Sequence, residues 1–155
     1  MVRIDWAQLC EMAFLDDCDR LCMIGVMTRF AAPALPIAMR QLMVVAKIDG
    51  VQQTESFGIG ISLITPSGVS LTPPRHEDGF DIAVTAEYIF ITLRDVPLAE
   101  EGMHRFAVSL GEGGPVCMDI PVRLTPKRGQ DRRESQGEPG NAFVPSPWVS
   151  GRGIN

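Results

Sequence analysis

Apolar and polar residues alternate in short runs over most of the first 126 residues, and Pro, Gly and Asp interrupt the runs every 8–14 residues or about that. This period of two predicts strands rather than helices. In "RLCMIGVMTRF" the alternation puts Cys22, Ile24, Val26, Thr28 and Phe30 on one face, which predicts a buried Cys22. "RQLMVVAKIDG" aligns Leu42, Val44, Ala46 and Ile48 and ends at the Asp49-Gly50 turn signal. "SFGIGISLITP" turns Phe57, Ile59, Ile61 and Leu63 inward, opposite Gly58, Gly60 and Ser62.

In "GFDIAVTAEYIFITLRDVPL" the apolar positions are even from Phe80 to Ala86, then odd at Ile89, Ile91 and Leu93. Such a change of face near Glu87 predicts a bulge or a strand that crosses between sheets. "HRFAVSL" and "VCMDIPVRL", joined by "GEGG", read as a C-terminal hairpin. Its inward residues are Phe106, Val108 and Leu110 on one strand and Met118, Ile120, Val122 and Leu124 on the other, and Pro121 suggests an edge strand. "WAQLCEMAFL" fits a helical face about as well as a strand; the runs that follow favour the strand. The expected fold class is all-β, an antiparallel sandwich of about seven strands, immunoglobulin-like or C2-like.

Composition changes at Pro126. The stretch from Lys127 to Asn155 has no apolar period and is rich in Gly, Pro, Ser and charge, which predicts a sandwich domain over 1–126 and a disordered tail over 127–155. Within that tail, Phe143 and Trp148 beside prolines resemble a short peptide that docks on a partner, or else belong to a terminus without a role. Residues 1–126 carry 9 basic against 16 acidic side chains (−7) and the tail 5 against 3 (+2), together the chain's −5. So small a charge offers no platform for nucleic acid or anionic lipid, and no run of 18 apolar residues could span a membrane. Acidic residues at 5, 11, 16 and 17 interrupt any apolar leader. The expectation is a cytoplasmic protein whose four cysteines are reduced.

The densest group of chemistry-bearing residues is "DDCDRLC", with Asp16, Asp17, Asp19, Cys18 and Cys22. It lacks the alternating carboxylates, central Gly and distant Glu of a calcium loop, and the second ligand pair of a zinc site. A hairpin turn accounts for it better, since Asp is a preferred turn residue. His76, Glu77 and Asp78 lie in a Pro- and charge-rich loop that fits a solvated turn; with Asp16, Asp17 and Asp19 they are the only metal-ligand candidates. His104 opens a strand and reads as structural, while Glu100 and Glu101 precede Gly102 in a turn. There is no nucleophile elbow, and "GIG" at 58–60 lacks the rest of a phosphate loop. No cofactor and no catalytic residue is expected.

"LCEMAFLDDCDRLCMIGVMTRFAAPALP" followed by "MVVAKIDG", and later "DVPLAEEGMHRFAVSLGEGGPVCMDIPVRL", resemble the two ends of an uncharacterised bacterial β-sandwich domain family of unknown function. The resemblance covers residues 9–125. It implies a small antiparallel sandwich and carries over no activity. Asp19 stands where that family usually has Gly, Cys22 where it has Asn, and His104 where it has Tyr. Two functions fit these readings. One is a non-enzymatic module that engages a protein, or a second copy, through a sheet face or edge. The other is a small-ligand or metal-dependent protein with a site at the loop end.

Overall fold

A computed structural model describes residues 2–50, 58–73, 80–125 and 148–151. Seven strands have five residues or more: β1 (Arg3–Cys10), β5 (Ile37–Asp49), β6 (Ile59–Ile64), β8 (Phe80–Val84), β9 (Tyr88–Leu98), β10 (Gly102–Leu110) and β11 (Val116–Leu124). Five shorter ones complete the described set: β2 (Met12–Leu15), β3 (Leu21–Ile24), β4 (Phe30–Ala32), β7 (Ser70–Thr72) and β12 (Val149–Gly151). They form a four-stranded sheet ordered β1-β5-β9-β8, a six-stranded sheet ordered β12-β7-β6-β10-β11-β4, and the separate hairpin β2-β3. Every pairing is antiparallel except β4 with β11. The expected all-β sandwich is therefore the observed class. No helix among the described residues is long and apolar enough to cross a membrane.

The strongest alternation builds the centre. On β5, Leu42, Val44, Ala46 and Ile48 face the second sheet and meet Ile89, Ile91 and Leu93 of β9 in the main core. Across from them stand Ile61 and Leu63 of β6, Phe106, Val108 and Leu110 of β10, and Met118 and Ile120 of β11. Each large aliphatic side chain so buried contributes roughly 1.5–3 kcal/mol of transfer free energy. The opposite side of β5 is apolar too. Val45 joins Cys10, Ala13 and Phe90 in a second cluster, flanked by Trp6, Met43 and Tyr88, on the outer face of the four-stranded sheet. Hairpin β2-β3 covers that face, so the molecule has three layers.

Four expectations need correction. The change of face near Glu87 is a tight hairpin, neither a bulge nor a crossing. Val84 pairs with Ile89 and Thr85 Oγ1 accepts from Tyr88 N–H at 2.9 Å, so even positions on β8 and odd positions on β9 share the inner side. The run 21–30 is two strands, because Gly25 at φ 63 turns the chain after Ile24. Leu124 is exposed at the end of β11 rather than inward. Pro121 does not mark an open edge, since β4 pairs with β11 from Val122 onward, one residue after the missing N–H. Leu124 N–H donates instead to Glu101 Oε1 at 2.6 Å, and Ser67 donates through N–H and Oγ to Glu100, so both loop carboxylates tie connections together. Phe57 lies outside the described residues.

Within the stretch read as a disordered tail, Trp148 is buried in the main core and Val149–Gly151 form β12 on the edge strand β7. Trp148 thus packs on its own domain, an arrangement that neither sequence reading of this aromatic, a peptide for a partner or a terminus without a role, describes.

Candidate functional site

Hairpin β2-β3 is built by its turn. Asp19 N–H donates to Asp16 O at 2.9 Å and Asp16 N–H to Arg20 O at 3.0 Å, a type I turn followed by Asp19 in the left-handed region at φ 57. Asp16 closes it with its side chain. Oδ1 accepts from the N–H groups of Cys18 and Arg20, both at 2.9 Å, and Oδ2 accepts from the Arg20 guanidinium at 2.8 Å from Nε and 2.7 Å from the terminal nitrogen. The guanidinium, seconded by the two backbone donors, holds this carboxyl below the usual carboxylate range. All of that follows from turn chemistry. Asp16 is committed to the loop, and the residue that usually is Gly in the resembling family is here an Asp able to adopt positive φ.

Among the described residues no group of three or more His, Cys, Asp or Glu side chains converges to hold a metal ion. Asp17 and Asp19 sit at the tip of the turn, and Cys18 is exposed and free beside them. His76, Glu77 and Asp78 lie outside the described residues. Cys10, Cys22 and Cys117 are also free thiols, and burial pushes Cys10 up from its ordinary value.

The cross-strand pairs of this hairpin divide into two ladders. Ala13 opposite Met23 and Leu15 opposite Leu21 pack on the sheet below. Met12 opposite Ile24 and Phe14 opposite Cys22 point away from it. Along residues 21–24 the buried face is thus the reverse of the one the alternation suggested, whereas Phe30, beyond the turn at Gly25, does pack on the main core. Met12 (49%), Phe14 (44%), Ile24 (52%) and Val26 (49%) are among the most exposed large apolar side chains described. Period-two alternation finds a strand but not its buried side when both sides are apolar. Met12, Phe14 and Ile24 share one side of the hairpin, and that is what marks a surface, since single exposed apolar residues are ordinary.

Two grooves border this stripe. One, of about 390 Å³, runs between Phe14 and the β8 edge, with Ile82, Ala83, Phe90 and Asp81 in its walls. The other, of about 510 Å³, lies at the hairpin base among Met12, Ile24, Phe30, Met39 and Arg40. Both are shallow and mainly apolar. Charge stands at their margins, where Asp81 pairs with Arg94. Such a surface can accept apolar side chains.

His104 belongs to a different place. It is fully buried on the inner face of β10, its Nδ1 is 3.4 Å from Gly102 O, and its Nε2 has no hydrogen-bond partner. Burial pushes its pKa down, and the Gly102 carbonyl and the Glu100 carboxylate oppose that only in part. It is structural, as expected from sequence, but not satisfied.

Fold and surface together define a small β-sandwich domain with an apolar outer hairpin. The chain belongs to a family of unknown function (DUF6941), whose sequence model matches residues 5–123. No curated protein matches it, and neither does any solved structure.

Proposed function

We propose that this protein is a non-enzymatic protein-binding or scaffold module of the bacterial cytosol, and that it engages its partner through the outer face of hairpin β2-β3 and the groove beside β8. One observation carries the reading. The inward ladder of the hairpin already secures it to the sheet, so the exposed Met12, Phe14 and Ile24 of the outward ladder are not needed for that attachment. Each exposed apolar side chain withholds transfer free energy that a partner can recover, at roughly 25 cal/mol per Å². The free cysteines agree with a reducing compartment.

The test is affinity purification of the full chain from its native host. The double substitution Phe14→Ser with Ile24→Ser is compared with wild type and with Met103→Ser, which alters an exposed apolar residue on the opposite outer face. A protein recovered by wild type and Met103→Ser and lost with the double variant, at unchanged melting temperature, supports the reading. Retention of the same protein by the double variant, or a monomer that recovers no partner, rules it out.

A further inference from the structure

The chain leaves the six-stranded sheet at the end of β11 and rejoins it at Trp148. There, Val149, Ser150 and Gly151 pair antiparallel with Thr72, Leu71 and Ser70 on the outer edge of β7. The Trp148 ring is 7% exposed, joins the main core, and donates its Nε1–H to the Arg94 carbonyl of β9 at 3.1 Å. A single side chain thus ties the edge of one sheet to a strand of the other. The segment's backbone meanwhile extends the sheet by one strand.

The family match ends at residue 123. The β7 edge and the Arg94 carbonyl that receive this segment therefore lie inside the family's span, and the segment itself lies outside it. The strand order places β12 four positions from β11, about 19 Å at the usual strand spacing. In the sequence 22 residues (126–147) lie between the two described stretches, and at roughly 3.3 Å per extended residue that number is enough for such a distance. For a covalent connection of about that number of residues the general effective concentration is of the order of 1 mM. The contact itself consists of one aromatic anchor and a three-residue ladder, the form in which peptides add to a sheet edge.

We infer that the β7 edge, together with the core position that Trp148 fills, is a strand-acceptor site for an extended peptide that carries a tryptophan followed by a β-forming residue, and that the C-terminal segment is its resident, exchangeable occupant. A partner with such a segment competes with the tether for the site. The site is separate from the hairpin face, so failure of either reading leaves the other standing.

The full chain carrying a protease site in place of residues 131–137 tests this. Cleavage leaves the occupant no longer covalently held. The account expects a cooperative melt after cleavage, exchange of the released piece for a labelled peptide of residues 144–155, and a dissociation constant below about 0.1 mM, as high occupancy under a millimolar tether requires. A peptide with Trp148→Ala should bind at least about tenfold more weakly, because the anchor is lost. Unfolding on cleavage would make the segment an integral strand and overturn the proposal. A folded protein that takes up no labelled peptide at about 1 mM overturns it too, as does equal binding of the alanine peptide.

Discussion

Replacing His104 with leucine should stabilise the protein, and increasingly so toward acid. The imidazole is 0% exposed and its Nε2 has no hydrogen-bond partner, a situation that costs about 1–3 kcal/mol. The Nδ1 contact to Gly102 O, at 3.4 Å, is at the long limit and offsets less than about 1 kcal/mol of that. Leucine has nearly the same volume, so the net gain near neutral pH is about 1 kcal/mol. The pH dependence follows from the lowered pKa. In the unfolded chain the ring titrates near its ordinary value of 6.5, so below that pH the unfolded state binds a proton that the folded state refuses. Wild-type stability therefore falls as pH drops, with a limiting slope of about 1.4 kcal/mol per pH unit until the folded-state pKa is reached. The carboxyls of Asp16, Glu100 and Asp119 are held low by hydrogen bonds, so their contributions fade only at pH below about 4. His76 is common to both proteins and cancels in the difference. Urea unfolding of wild type and His104→Leu at pH values from about 5 to 8 is the assay. Parallel curves, or a leucine variant less stable by more than about 1 kcal/mol, would refute the reasoning.

Four further single substitutions test the hairpin. Asp19→Gly removes the left-handed strain at φ 57 and should raise stability by about 0.5–1 kcal/mol in thermal or urea unfolding, despite the added freedom of the unfolded chain. Gly25→Ala should lower it by more than about 1 kcal/mol, because φ is 63 and the new Cβ would stand 2.7 Å from Glu11 Cγ; adding Glu11→Ala should restore the steric part and leave the backbone part. Leu15→Ala, on the inward ladder, should cost about 1–2 kcal/mol, and Phe14→Ser, on the outward one, less than about 1. Equal losses at the two positions would mean that the outward ladder is also part of the core.

The sandwich was legible in the sequence where one face of a strand is buried and the other wet. β6, β10 and β11 read correctly from Ile59 to Leu63, Phe106 to Leu110 and Met118 to Val122, because Gly60, Arg105 and Asp119 alternate with core residues, and the last two face each other as a two-point ion pair at 2.7 and 2.8 Å. β5 read correctly on its inner face only, since Met43 and Val45 are apolar for the sake of the hairpin that lies on them. The same ambiguity reversed the face of Cys22 and Ile24. The turn at Asp16–Arg20 was legible, through aspartate's turn chemistry, whereas the apolar surface beside it was not. Its exposure depends on which ladder the tertiary fold covers, and alternation carries no sign. The burial of Trp148 in its own domain's core, and the strand after it, were illegible for the opposite reason. Trp148 is an isolated anchor among Pro, Gly and Ser, and the strand it adds is only three residues long.

The most direct measurement places a photoreactive phenylalanine analogue at position 14, and separately at position 103, in the full chain expressed in its native host. The account predicts a covalent adduct with one specific protein from position 14 and none from position 103. No adduct at position 14, or the same adduct from both positions, would contradict the claim that the outer face of hairpin β2-β3 is where this protein meets its partner.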